Sequence, residues 1–234
     1  MTASSVSSPP EPPVVDDGFD DDGGGWWSNS PGWAKGVLAG GLVLILLLVG
    51  GLVGGLIGQR TAPTYGPAAG SVDVGFLQDM SVHHRQAIQM AVWERSNTTD
   101  PALRQLAFDI ESSQTQQLGM MQGWLQLWQQ PTETAPGQYM AWMGMPMASM
   151  PGMATEADLQ RFRTTTGSAL DVEFLQLMLR HHQGGLSMMQ MAAADASVSP
   201  VQALASSMVT TQTAEAQTMT QMLAARGAAP LPMN

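Results

Sequence analysis

The stretch FLQDMSVHHRQAIQMA, residues 76–91, decides the fold of this chain because it occurs twice. It returns as FLQLMLRHHQGGLSMM at residues 174–189, at a constant offset of 98 residues. All four histidines of the chain lie in these two copies, as one adjacent pair in each. The match extends from Asp73 to Leu125 in the first copy. The repeated unit is therefore longer than one helix, and a duplicated architecture is expected.

Apolar residues at helical spacing predict two long helices in each copy. The predicted helices cover residues 72–96, 101–128, 168–196 and 200–226. Asp100 is placed to cap the second helix, and Pro101 suits its first position. A hairpin with one apolar stripe per helix cannot bury both stripes alone. The two hairpins therefore predict an all-α four-helix bundle over residues 72–228.

The segment between the two copies is predicted to be a crossover loop rich in methionine. Residues 138–153 read QYMAWMGMPMASMPGM and contain six methionines. The prolines and glycines among them do not fit a regular helix. A short helix with the sequence TEADLQRF, capped by Thr155, is predicted to follow.

The N-terminal third of the chain has a different composition from the repeats. Residues 1–35, rich in Pro, Ser, Gly and Asp, predict a disordered acidic tail. Residues 36–58 are uncharged, and a helix of that length spans roughly 34 Å, enough to cross a bilayer. We interpret them as one transmembrane helix, with residues 59–71 as a linker. A cleaved signal peptide is the alternative, although its apolar region is usually shorter and nearer the N-terminus.

Composition excludes several classes of function. The chain has no cysteine, so soft-metal chemistry must use thioether and imidazole ligands. The formal net charge is −10, and the sequence after the tail has no basic patch that would indicate nucleic-acid binding. No catalytic triad, phosphate loop or dinucleotide fingerprint is present. We therefore expect a protein that is not an enzyme.

The histidine pairs are the principal candidate metal ligands. On a helical wheel Met80 and His84 lie one turn apart on the inward face, and His83 lies toward its edge. The second copy repeats this arrangement. Imidazole and thioether together favour copper, and Cu(I) in particular. The candidate ligands on the helices are Met80, His83, His84, Met178, His181 and His182.

The acidic residues near these pairs have structural interpretations. Asp79 is placed to orient His83 at i, i+4. Asp73 and Asp171 are placed to cap the helix starts. The alternative to a metal site is a set of buried, hydrogen-bonded histidines in a structural or interaction module.

Methionines in the crossover loop are a second set of candidates. A loop broken by proline has little core to fill, and the MxM and MxxM spacings allow several thioethers to bind one Cu(I). We interpret this loop as a flexible Cu(I) collector. Its candidate ligands are Met143, Met145, Met147 and Met150.

Both copies, with the intervening MPGMATEADLQRF, resemble the family named domain of unknown function 305 over about residues 73–226. The resemblance implies a ferritin-like four-helix bundle, export from the cytoplasm and, in some members, copper binding linked to copper tolerance. The two sites are expected to differ, because Gly184 and Gly185 replace Gln86 and Ala87 of the first copy. Ferritin iron chemistry is not expected, since the chain contains no Glu-x-x-His.

We therefore expect a single-pass membrane protein whose soluble domain is extracytoplasmic and binds copper for sequestration or transfer. The expected partners are a metal ion and the membrane. A second copy of the chain or another envelope protein is a further candidate partner, and nucleic acid is not expected.

Overall fold

A computed structural model describes residues 30–61 and 66–234 of the chain, with side chains from residue 56 to 61 left undescribed. Within these ranges the protein is helical and contains no β-strand beyond one isolated bridge. The helices are α1 (Gly32–Thr61), α2 (Val72–Asn97), α3 (Pro101–Leu127), α4 (Glu156–Thr164), α5 (Ser168–Asp195) and α6 (Ser199–Ala225), with a 3-10 turn at Ala141–Met143.

Helix α1 forms a unit separate from the remainder of the chain. Residues 32–55 within it are long and apolar enough to cross a membrane. The leucines between residues 32 and 55 are exposed; Leu47, for example, is 68% exposed. This length and composition suit either a membrane anchor or a signal sequence. The helix begins before the predicted span of residues 36–58, and residues 1–29 of the predicted tail lie outside the described part.

The second unit is the predicted bundle of two hairpins. Helix α2 packs against α3, α5 packs against α6, and α2 packs against α5 between the hairpins. Asp100 caps α3 through the amides of Ala102 and Leu103, as predicted. Thr155 caps α4 in a reciprocal capping box with Asp158. Two apolar clusters fill the bundle, and Phe76 and Phe174, which correspond in the repeat, lie in different clusters.

Asp73 and Asp171 do not cap their own helices, so that prediction is wrong. Ser71 caps α2, and Gly167 occupies the cap position of α5. Asp73 instead accepts hydrogen bonds from the amides of Ser197 and Val198, and from the Ser197 hydroxyl, in the connection between α5 and α6. In the other hairpin, Asp171 accepts a hydrogen bond from the Thr98 hydroxyl, 2.7 Å away. Each aspartate therefore ties its helix to the connection of the opposite hairpin.

Candidate metal centre

Two of the four histidines meet where the hairpins touch. The rings of His83 on α2 and His181 on α5 lie against each other, with their centroids 3.7 Å apart and their planes tilted by 32°. The Nε2–H of His181 donates to the carbonyl oxygen of His83 over 3.1 Å. Both ring nitrogens of His83 are buried without a hydrogen-bond partner in the described structure. An orphaned imidazole in the core is costly unless a further ligand engages it.

Two glycines of the second copy make this contact possible. A Cβ atom at Gly185 would lie 2.8 Å from Cε1 of His83. A Cβ atom at Gly184 would lie within 3 Å of the Pro151 carbonyl oxygen and of the Cα atom of Gly152. The second copy has glycines at the positions of Gln86 and Ala87 in the first. Because these glycines have no side chain, the His83 ring and the loop at residues 151–152 can lie directly against α5.

We expect Gly184→Ala to destabilise the bundle by about 1–3 kcal/mol, because the new methyl group overlaps backbone atoms that cannot rotate away. Gly119 on α3 has no atoms near its Cβ position. Gly119→Ala is the matched control and should be neutral or stabilising by up to about 1 kcal/mol. Urea unfolding of the two variants measures both effects. Equal stability of the two would show that the loop does not need the close approach at Gly184.

The other two histidines have equivalent partners on the neighbouring helices. His84 Nε2 lies 2.7 Å from Oε1 of Gln117 on α3, and His182 Nε2 lies 2.8 Å from Oε2 of Glu215 on α6. Gln117 and Glu215 correspond at the same offset as the histidines. The sequence analysis did not identify Gln117 and Glu215 as partners of the histidines. The two residues occupy equivalent positions in the repeats, but one is an amide and the other is a carboxylate, so no match was visible.

These hydrogen bonds fix which ring nitrogen carries the proton. The Nε2–H groups of His84, His181 and His182 donate, so in the neutral ring the Nδ1 atom has a lone pair. All three Nδ1 atoms are buried and have no partner in the described structure. Each of these rings therefore holds an Nδ1 lone pair in a fixed orientation in which it could bind a metal ion.

Burial keeps most of these imidazoles neutral. Burial lowers the pKa of His84 to about 4. The pKa values of His83 and His181 are held well below the ordinary value, chiefly by burial and then by neighbouring histidines. A neutral imidazole is the form that binds metal ions. These rings need not release a proton to bind a metal at neutral pH.

Met80 and Met178 are completely buried, in different apolar clusters. Met80 packs in the cluster that includes Phe76 and Leu77, and Met178 packs in the one that includes Phe174 and Leu175. Both methionines therefore contribute to the core, and the structure does not place them in one cluster. Among the described residues, no group of three or more His, Asp or Glu side chains is arranged to hold a metal ion.

The methionine loop is anchored to α2 by Asp79. This buried carboxylate accepts hydrogen bonds from the Thr134 hydroxyl, the Met140 amide and the indole N–H of Trp142. It makes no hydrogen bond to His83, so its predicted orienting role is wrong. The loop then folds back on itself, with the Met147 amide donating to the Tyr139 carbonyl over 2.8 Å. The loop is therefore anchored by hydrogen bonds at this end, and its role as a Cu(I) collector stays a prediction.

The anchored turn divides the loop methionines into two groups. Met145 and Met147 are 50% and 39% exposed, and Met143 is half-buried. Met150 is only 3% exposed and, like Met140, belongs to the core. The turn therefore presents Met143, Met145 and Met147 near the surface, within five residues of chain. These three side chains are the more accessible of the predicted thioether ligands.

Comparisons with known proteins agree with this architecture. Residues 73–223 match the family described as "Domain of unknown function (DUF305)". The structure of a DUF305 protein from Streptomyces coelicolor, described as a candidate secreted protein, is 43% identical with a TM-score of 0.66. The alignment covers 70% of this chain and 99% of that one. The comparison with curated proteins finds no match.

Two further solved structures are similar. A DUF305 fragment from Deinococcus radiodurans is 33% identical with a TM-score of 0.57, over 68% of this chain and 99% of that one. CopM in its Cu(II)-bound form is 26% identical with a TM-score of 0.52, over 64% of this chain and 94% of that one. The chain is thus similar to a protein whose structure has been solved with copper bound.

Proposed function

The chain belongs to the DUF305 family, and we propose that it is a membrane-anchored, extracytoplasmic copper-binding protein that sequesters copper ions or passes them on. The observation that carries the proposal is the set of buried imidazole nitrogens without partners, five among the four histidines. Native proteins satisfy nearly all buried polar atoms. Metal binding would satisfy those of the nitrogens that have a lone pair.

The ligand types favour copper over other ions. The chain combines imidazoles with near-surface thioethers and contains no cysteine. Thioether ligands select Cu(I), and imidazole binds copper in either oxidation state. The likeness to CopM, solved with Cu(II) bound, supports the same choice.

We propose that the two ligand groups act at different steps. The turn carrying Met143, Met145 and Met147 would capture Cu(I) at the surface, and the histidines would hold copper inside the bundle. The protein would be non-catalytic, since binding and release of the ion need no chemical step.

A structural module is the second candidate function. The hydrogen bonds from His84 to Gln117 and from His182 to Glu215 favour it, because they give these rings ordinary core roles. In that case the histidines would stabilise the packing of the two hairpins, and the partner would be another envelope protein or a second copy of the chain.

Metal analysis of the full-length chain, purified in detergent and loaded anaerobically with Cu(I), tests the proposal. We expect at least one copper ion retained per chain after desalting, with a higher affinity for copper than for zinc. Retention of no copper would favour the structural module.

Localisation has an independent test. We expect a protease added to intact cells to remove the soluble domain, because the proposal places it outside the membrane with α1 as its anchor. A domain protected from the protease in intact cells, and digested after lysis, would contradict this topology. Release of the domain into the medium as a shortened chain would identify α1 as a cleaved signal sequence.

A further inference from the structure

One short segment crosses from α5 to α2 beside the contact between the histidine rings. Residues 151–154, which we call the lid segment, follow the methionine turn and precede α4. At α5, the carbonyl oxygen of Pro151 lies so close to Gly184 that a Cβ atom there would overlap it. At α2, the side chain of Gln86 pairs with the backbone of Ala154. The lid segment therefore spans the seam between the two hairpins.

The lid segment crosses this seam at the level of two histidines. Gln86 lies about one turn after His83 on α2, and Gly184 lies about one turn after His181 on α5. These two histidines have the rings that lie against each other between the hairpins. With the lid segment in this position, His83 and His181 are 0% and 1% exposed.

The duplicated sequence differs at the two equivalent positions that the lid segment contacts. Gln86 and Gly184 correspond in the repeat. Because the lid segment occurs only once, between two equivalent helices, it cannot contact both helices in the same way. One copy supplies an amide side chain that binds the segment, and the other supplies a glycine that leaves room for its backbone. The divergence of the two copies at this position therefore fits a single covering segment.

Two side chains hold the lid segment in place by hydrogen bonds to its backbone. Gln86 donates from Nε2 to the Ala154 carbonyl over 2.9 Å and accepts from the Ala154 amide over 2.7 Å. Asn234, in the segment after α6, accepts from the Gly152 amide over 3.1 Å and donates to the Met153 carbonyl over 3.0 Å. Each such bond contributes little net free energy. Segments held in this way open locally at a lower cost than the helices of the core.

We propose that residues 151–154 are a lid that controls access from solvent to the rings of His83 and His181. The closed lid is the observed state. Loss of the contacts to Gln86 and Asn234 favours an open state, in which solutes reach the two rings between the hairpins. This inference rests on the proposed function for what enters, a soft metal ion passed on from the methionine turn. The opening of the lid itself needs no metal.

Two variants weaken the lid from different sides. Gln86→Leu removes both hydrogen bonds of this side chain and nearly conserves its volume. Asn234→Ala removes both hydrogen bonds of a residue that lies outside the helices. Gln78→Leu is the matched control, because Gln78 lies on α2 about two turns before Gln86 and donates to the carbonyl of Pro131, which is outside the lid segment.

Diethyl pyrocarbonate, which modifies neutral imidazole, is the probe. It is applied at neutral pH to the metal-free full-length chain, and tandem mass spectrometry locates the modified histidines. We expect each lid variant to raise the modification rates of His83 and His181 roughly 10-fold or more, because each loses two hydrogen bonds of the closed state. The rates at His84 and His182 should not change, because these rings are hydrogen-bonded to side chains of α3 and α6 instead. Gln78→Leu should react as the parent does.

Equal rates in the parent and in both folded lid variants would overturn the inference. An equal rise at all four histidines would overturn it as well, since a general loosening of the bundle would then control access. If Gln86→Leu unfolds by circular dichroism, Asn234→Ala decides alone.

Copper loading of the same proteins separates this inference from the proposed function. A parent that retains no copper would refute the proposed function, and the modification rates, which need no metal, would still decide whether the lid exists. A parent that retains copper, with histidine rates that neither lid variant changes, would refute the lid only.

Discussion

Replacing Met143, Met145 and Met147 together by leucine is expected to lower the Cu(I) affinity of the chain by roughly 100-fold or more, equivalent to about 3 kcal/mol. These are the near-surface thioethers of the anchored turn, and leucine removes the sulfur while conserving volume. The fold should be nearly unaffected, because the turn is held by Asp79 and by backbone hydrogen bonds, and because leucine keeps the volume with which Met143 packs against the apolar core. A competition titration with a Cu(I) chelator measures the change.

Buried methionines supply the control for this variant. Met121 and Met219 correspond in the repeat, and both are fully buried. Leucine at both positions should leave Cu(I) affinity unchanged and should cost less than about 1.5 kcal/mol of stability per site. A separate Met150→Leu variant tests the one predicted loop ligand that is buried. If the surface triple variant binds Cu(I) as the parent does, the turn is only a connection between the repeats.

Replacing all four histidines by glutamine is expected to have two effects, on copper binding and on the pH dependence of folding. Copper bound through nitrogen should be lost at every pH. The parent should retain that copper well below neutral pH, since His84, with a pKa near 4, stays neutral at pH 5. Acidification toward pH 4 should then release it, because the proton and the metal compete for the ring.

The folding effect follows from the same lowered pKa values. His84 titrates near 6.5 in the unfolded chain and near 4 in the folded one, so the unfolded state binds more protons between these values. The contribution of His84 to the free energy of unfolding is therefore fully present above pH 6.5. It decreases by on the order of 3 kcal/mol as the pH falls to 4. His83 and His181 act in the same direction.

Urea unfolding between pH 4 and 8 measures this dependence in the copper-free protein. Burial and then the neighbouring Asp171 raise the pKa of Glu94 to about 8, so Glu94 acts in the opposite direction, with stability falling as the pH rises from about 4.5 to 8. Because Glu94 is present in both proteins, the effect of the histidines is the difference in free energy of unfolding between the parent and the histidine variant at each pH. A parent whose stability falls no more steeply than that of the variant below pH 6.5 would show that the rings are not buried as described.

The repeated pattern predicted the fold because duplication and helical periodicity are both local properties of the sequence. The constant offset identified two hairpins, and apolar spacing identified the inward faces that Phe76 and Phe174 occupy. Asp100 and Thr155 were identified as caps because a cap acts within three residues of itself.

Partners distant in sequence were not predictable by the same means. Asp79 bonds residues 55 to 63 positions away, and its i, i+4 spacing to His83 suggested the wrong partner. Asp73 reaches the opposite hairpin, 124 residues further along the chain. Only the hydrogen bonds in the structure identify Gln117 and Glu215 as partners of His84 and His182. The predicted metal ligands themselves remain a prediction.

X-ray absorption at the copper edge of the Cu(I)-loaded full-length chain is the most direct test of the central claim, that this protein binds copper through thioether and imidazole together. If copper is bound in this way, the parent should show both sulfur and nitrogen neighbours of copper. The sulfur shell should be lost in the variant with leucine for Met143, Met145 and Met147, and the nitrogen shell should be lost in the histidine variant. A parent spectrum with neither shell, or with shells that both variants leave unchanged, would contradict it.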